Sequence, residues 1–497
     1  MSRQWMILFI IILIYLPVSI DATVLHVAIP SMTSALALNN QQMLWIIDIY
    51  SLVMAGLILP MGALGDRIGF KRLMLIGASI FAIASTAAAV AQSAAMLIAM
   101  RALLALGAAM IIPATLAALR HGFTDEKQRN FALGIWGTVG GGGAAIGPLV
   151  GGYILEHYHW GMVFLINVPI IACALLFILL YVPKQATQAE QSINLWQALQ
   201  LITAILLIIY ALKSLFYNAT LSAWSALFAG SAILMWFIRQ QLKSTRPLID
   251  FKLFQHPAIA VSIALAIFAM VSLVGFELLL SQELQFIYGY SPLDAGLYIL
   301  PFIIAISFGG PFVSFLLNHF GLKRVSSCGL LLCALSFFGL SQINFAIDHY
   351  LAWTWMVLLG LSVEITLLSS TAAIMSTAPK HKATAAGAIE GMAYELGAGL
   401  GIAIFGMLIS LFYMQHLQSI PQLSSADLTS LGHSIGETLA ALQQFSPESA
   451  TVIQQQATQA FQYAHRWVLI IAGSLFIILA IFVWRLMPQR VQQQDGP

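Results

Sequence analysis

Seven carboxylates stand inside long apolar runs of this chain: Asp21, Asp48, Glu277, Glu283, Glu364, Glu390 and Glu395. If those runs lie in lipid, each acid costs about 2.5–3.5 kcal/mol on insertion scales. Such a group persists where it faces a cavity or a partner. There it can hold a proton, hold a cation or close an ion pair. Burial favours its protonated form and a neighbouring cation favours the ionised one. A single acid can therefore carry either a proton or a positively charged molecule, and competition for its charge couples the two movements.

Arg101 is a base deep in such a run, and it needs partners there. It reads as a tuner of a nearby acid or as half of a structural ion pair. Asp21 and Asp48 read as proton or cation sites, or as structural pairs or mouth positions. Glu390 and Glu395 read the same way, with helix–helix hydrogen bonding as the alternative. Their five-residue spacing puts them about 140° apart on a helix, so at most one faces a pore squarely. Glu277 is balanced between site and exposure. Glu283 lies near enough to water that exposure is expected, and Glu364 is a secondary proton site. Trp45, Trp136, Tyr394 and Phe276 can hold a cation over a ring face at about 0.5–2 kcal/mol each, or they pack in the core.

The elements that position these groups follow from composition. The chain has 497 residues, 60% of them hydrophobic and 8% charged, where a soluble chain is about a quarter charged. Lipid is its expected solvent. Apolar stretches of spanning length occur at about 5–29, 43–64, 73–91, 95–119, 131–155, 162–182, 196–216, 222–238, 257–285, 292–317, 325–344, 350–376, 385–413 and 466–486. Each must be a helix, because hydrocarbon cannot hydrogen-bond a bare backbone. The N-terminus imitates a signal peptide, but its apolar run continues through "ATVLHVAIP", so an uncleaved first span is expected.

With both termini in the cytoplasm, 18 of the 21 lysines and arginines fall on the cytoplasmic side, a strong positive-inside bias. The remainder are Arg101, Lys213 near an outer end, and Arg466. No Lys or Arg occurs from Ala383 to His465. The outer loop 414–465 contains two stretches, 427–445 and 447–465, that read as short amphipathic helices forming a hairpin. Cys173, Cys328 and Cys333 lie in apolar runs without metal-ligand spacing and read as core residues.

"DRIGFKR" (66–72) and "NHFGLKR" (318–324) are copies offset by 252 residues, from Gly69 to Gly321. The same offset maps the first spans onto the ninth and tenth. The chain then divides into a six-helix bundle (1–183), two inserted helices with linkers (184–256) and a second six-helix bundle (257–497). Parallel six-helix halves are a transporter architecture. In the first copy, Gly62, Gly65 and Gly69 permit close helix ends, while Asp66 beside Arg67 and Arg72 reads as a breakable latch. The run "GGGGAAIGPLVGG" (140–152) reads as a dry seam and hinge where the halves meet, carried by Gly143, Gly147, Pro148, Gly151 and Gly152, or as plain packing. It lies in a span and lacks the Lys-Ser/Thr of a phosphate loop.

These motifs resemble a known family. "GALGDRIGFKR" is similar to the loop signature of the major facilitator superfamily, and the glycine run is similar to the fifth-helix signature of its drug exporters. "SIDATVLHVAIP", "WIIDIYSL" and "AIEGMAYELG" resemble the first, second and thirteenth helices of its fourteen-helix drug:proton antiporters. One departure is Ala105, where the family places Gly four residues after its Arg. The resemblance implies an all-α fold of fourteen transmembrane helices in a 6+2+6 order. It implies proton-driven export of lipophilic and quaternary-ammonium cations, dyes and biocides among them, by a monomer in the bacterial inner membrane. Asp21, Asp48, Glu390 and Glu395 would take protons or substrate, with Arg101 in proton coupling; the residues themselves add Glu277, Tyr394 and Trp45 as candidate substrate or proton contacts.

A carrier of another metabolite or peptide on the same scaffold is the alternative. An enzyme is not expected, for want of a metal cluster, nucleophile elbow or catalytic domain. No Walker motif supports ATP drive, and no cofactor is expected. The net charge of +2 does not point to nucleic acid.

Overall fold

An apolar run in hydrocarbon satisfies its backbone only within itself, and the chain is helical accordingly. The computed structural model describes residues 3–123, 125–183, 195–217, 220–244, 247–377, 383–418 and 431–487. Lys184, Arg246, Lys380, Lys382, Arg490 and the 419–430 part of the outer loop lie outside them.

The helices are α1 (Arg3–Leu36), α2 (Asn40–Ile68), α3 (Phe70–Ala89), α4 (Ala94–Gly122), α5 (Glu126–His157), α6 (Met162–Leu165), α7 (Asn167–Tyr181), α8 (Leu195–Tyr217) and α9 (Leu221–Lys243). They continue with α10 (Pro257–Gln282), α11 (Pro292–Phe308), α12 (Gly310–Phe320), α13 (Leu322–Leu340), α14 (His349–Thr377), α15 (Ala383–Gln418), α16 (Ile435–Ala441) and α17 (Pro447–Leu486). Among the described residues no strand occurs. Among the described residues thirteen spans are long and apolar enough to cross a bilayer, and the pair α11–α12, bent by 47°, brings the number to 14 if it is one span. Bulky apolar side chains such as Leu176, Leu180, Phe228 and Phe482 point outward, as lipid-facing surfaces require.

By its contacts the chain resolves into two units. One contains Met1–Ala28 and Ile46–Asp250, and the other Ile29–Trp45 and Phe251–Pro497. The inserted pair α8–α9 groups with the first unit.

Both copies of the repeat turn between helices on a glycine. Gly69 has φ 87° and Gly321 has φ 78°, and each is one residue between two helices. A side chain is strained in that region, whereas glycine is not. The shared glycine is thus a backbone requirement. Lys71 of the same loop donates to the carbonyls of Leu179 (2.9 Å) and Val182 (2.7 Å). It caps the C-terminal end of α7, where a cation meets both unsatisfied carbonyls and the helix dipole. Asp66 is exposed and has no hydrogen bond or ion pair among the described residues. Arg120 and His121, at the end of α4, are its electrostatic neighbours.

The predicted break before the last span is absent. Residues 447–486 form one helix of 40 residues, about 60 Å at 1.5 Å per residue. Polarity changes near His465, but no proline or glycine interrupts the backbone there, so polar segment and apolar span share one hydrogen-bond ladder. The other half of the expected hairpin is short. α16 packs its flank, with Leu431, Ala441 and Ile453 in one cluster, and is pinned to α15 by Tyr413 and Thr438 hydroxyls 2.6 Å apart. Glu437 accepts from the backbone N–H groups of His433 (2.8 Å) and Asn40.

The glycine run of α5 packs against α1 inside the first unit. A Cβ at Gly143 would stand 2.6 Å from Ser19 Cβ, and one at Gly151 would stand 2.6 Å from Val24 Cγ2. At Gly147 it would run into Thr23 Oγ1, whose hydroxyl donates to the Ala144 carbonyl at 2.8 Å. Pro148 and Gly152 are buried in the same helix, which continues through the proline. Gly147→Ala is therefore expected to lower stability by about 1–3 kcal/mol, the range for overpacking. Thermal unfolding in detergent should show a lower midpoint than for Gly142→Ala, where a Cβ meets nothing within 4 Å.

Candidate functional site: buried ionisable groups in each unit

In the first unit, α1 carries Asp21 and α4 carries Arg101. Both are fully buried, at 0% and 1% exposure, and they form an ion pair. The guanidinium has three anchors. Its Nε donates to the Ile46 carbonyl at 3.2 Å, and its centre lies 4.5 Å from the Tyr50 ring centroid. Asn167 Nδ2 donates to the second Asp21 oxygen at 3.4 Å. This planar cation is held by a carboxylate, a carbonyl and a ring face, a combination suited to Arg and poorly matched by Lys. The absence of the family's glycine at Ala105 does not displace it.

Asp48, on α2, is paired with Lys213 of α8 at 2.5 Å, and both are 0% exposed. Lys213 was expected near an outer end of its span. The structure instead delivers it into the interior of the first unit. The signal was present: a lysine among Leu, Ile and Ala has no water to reach and must have an acid.

The second unit treats its acid differently. Glu390 on α15 is 4% exposed. Its Oε1 accepts hydrogen bonds from Ser370 Oγ (3.0 Å), Thr371 Oγ1 (2.8 Å) and Tyr394 OH (2.9 Å). α14 supplies the first two donors, and Tyr394 lies one turn along α15. Among the described residues no base is within ion-pair distance of Glu390. The hydroxyls stabilise a charge here without cancelling it, leaving a carboxylate that a proton or a cation can neutralise. Composition did not single out Ser370 and Thr371, because "LLSSTAA" reads as small-residue packing.

Glu395 is half-buried, on a different face of α15 from Glu390, as the spacing predicts. Glu277 is buried in α10, and Trp45 is half-buried. Glu364 is half-buried and has no hydrogen bond or ion pair among the described residues. It faces the bend between α11 and α12, where a Cβ on Gly310 would stand 3.4 Å from its Oε1.

One expectation is corrected here. Glu283 is not exposed: it is 3% accessible and its carboxylate meets the Nδ1 of His465 of α17. Because α17 continues past its apolar part, protein replaces water around that acid. Tyr288 OH donates to Glu283 Oε1 at 3.2 Å, and burial, with the carboxylate adding to it, holds this phenol well above its usual range. Phe276 is core, edge-on to Phe302 at 5.3 Å. Trp136 is stacked on Tyr15 at 4.7 Å and donates to Thr115, so one ring face and its polar end are committed.

Comparison with known proteins sets these sites in context. Residues 11–402 match the model of the Major Facilitator Superfamily. The chain is 50% identical to the methyl viologen resistance protein SmvA of Salmonella typhimurium, over 97% of this chain and 98% of that protein. It is 34% identical to the multidrug efflux pump LfrA of Mycolicibacterium smegmatis, over 97% and 96%. Among solved structures, a bacterial homologue of the human lysosomal transporter Spinster superposes with TM-score 0.69 and 16% identity, covering 100% of this chain and 99% of that one. That similarity concerns the fold.

Proposed function

The chain belongs to the major facilitator superfamily, a multi-pass membrane transporter, and on that premise we propose that it exports lipophilic cations in exchange for protons. The observation that carries this reading is Glu390, a deeply buried carboxylate held by three hydroxyls and by no described base. A proton neutralises it, and so does a quaternary-ammonium or bipyridinium cation. The two occupants exclude each other, so a proton gradient pulls cations in the opposite direction. Tyr394 adds a ring beside the acid, at about 0.5–2 kcal/mol for a desolvated cation–π contact. Relatives whose names specify methyl viologen resistance and multidrug efflux support the substrate class. The buried pairs Asp21–Arg101 and Asp48–Lys213 are already neutral, and they serve as second-rank sites that open when their partners move. The positive-inside pattern supports an arrangement with both termini in the cytoplasm of a bacterial inner membrane.

Everted membrane vesicles test this. Respiration acidifies their lumen, and the chain is expected to accumulate ethidium there without ATP, an accumulation that a protonophore abolishes. Accumulation that survives the protonophore, or that requires ATP, overturns the reading.

A further inference from the structure

We propose that Lys213, on the inserted helix α8, is a positioning residue of the transport cycle that acts through Asp48 as a tethered competitor of the substrate cation. The inference rests on the export reading above. It assigns a role to the two helices that lie outside the six-helix repeat.

The geometry is specific. Lys213 is the sole charged residue of α8, "LWQALQLITAILLIIYALKSLFY". Its ammonium lies 2.5 Å from Asp48 Oδ2, with both side chains 0% exposed. α8 is brought against α2 by Gly56, where an added Cβ would run into Ile202 of α8. α9 backs it at Gly230, where a Cβ would stand 3.0 Å from Leu207 and Ile208. Two helices thus hold one lysine over one aspartate. The other base nearby, Arg101 from α4, is engaged by Asp21 of α1 and by the Ile46 carbonyl, so Lys213 is the resident counter-charge of Asp48.

A second cation cannot settle on Asp48 while the ammonium stays. A proton arriving there leaves Lys213 as an uncompensated buried charge. Either event requires the ammonium to withdraw or give up its proton. Lys213 therefore weakens binding of a substrate cation at Asp48, and by returning it displaces that cation at release. Removing the amine leaves a bare carboxylate that binds more tightly and releases more slowly.

The test uses Lys213→Met, Lys213→Gln, Lys213→Arg, Asp48→Asn and the double variant Asp48→Asn/Lys213→Met in the full chain at matched protein amounts. Two readouts are taken: KM and kcat for ethidium in everted vesicles, and labelling of Asp48 by a hydrophobic carbodiimide in purified protein, read by mass spectrometry. Lys213→Met is expected to lower both KM and kcat by about tenfold and to raise Asp48 labelling by a similar factor, a change of about 1.4 kcal/mol. Lys213→Arg should stay near the wild type. In the Asp48→Asn background the Lys213→Met change should alter neither KM nor kcat.

Should Lys213→Met not accumulate, Lys213→Gln gives the same two readouts. Wild-type KM, kcat and labelling in Lys213→Met and Lys213→Gln would overturn the proposal, as would wild-type transport by the neutral double variant. If the wild-type chain shows no proton-driven ethidium movement, the export reading fails. The labelling then decides the Asp48–Lys213 coupling by itself, and unchanged labelling overturns it.

Discussion

Glu390→Gln is expected to abolish cation export while leaving the amount of folded protein unchanged. The two outcomes separate because of what surrounds the side chain. Glutamine keeps the length and an amide oxygen that can accept from Ser370, Thr371 and Tyr394. It loses the ability to take a proton or to carry a negative charge. Packing is conserved and the exchange chemistry is removed. Coupling free energies of about 1–3 kcal/mol correspond to about 5–150-fold in affinity, and loss of the whole exchange group should cost ethidium export at least the lower end of that range at matched expression. Tyr394→Phe removes one donor and leaves the carboxylate. A single hydrogen bond to a charged group is worth about 1.5–3 kcal/mol, so a partial loss is expected there. Normal export by Glu390→Gln would remove this acid from the mechanism.

Arg101→Met is expected to have the largest effect on stability. It strands the Asp21 carboxylate, fully buried, with Asn167 as its remaining hydrogen-bond donor. Removing one partner of a buried pair costs about 3–5 kcal/mol, because the other charge is left uncompensated. Folded protein in the membrane should drop steeply, and the thermal midpoint in detergent with it. Asp21→Asn/Arg101→Met removes both charges and should restore the protein. Transport by that double variant should stay low if Asp21 takes part in exchange. Arg101→Lys should recover stability incompletely, since an ammonium cannot satisfy Asp21 and the Ile46 carbonyl while lying flat on Tyr50. A stable Arg101→Met protein would contradict the ion-pair account.

The sequence carried much of this because lipid amplifies errors. A charge in hydrocarbon is expensive, so Asp21, Asp48, Arg101 and Glu390 announce themselves, and fourteen apolar runs declare the helices. Gly69 and Gly321 were legible as a repeat, and their positive φ values supply its physical reason. What was not legible was pairing. Asp48 and Lys213 are far apart in the chain, and periodicity does not say which helix lies beside which. The hydroxyls around Glu390 were hidden in a serine- and threonine-containing helix where small residues have an ordinary packing use. Glu283 was misread because depth was judged from the end of its own span. The cover came from another helix, α17, whose continuity depends on residues that do not break it. Asp66 was read from its neighbours in sequence, yet its electrostatic neighbours belong to α4.

The most direct measurement is proton release on substrate binding to purified protein in weakly buffered detergent solution, followed with a pH indicator while ethidium or methyl viologen is added. If one carboxylate is shared in turn by protons and cations, binding must expel protons, and the signal must vanish in Glu390→Gln. Cation binding without proton release, or release that persists unchanged in Glu390→Gln, would contradict the account.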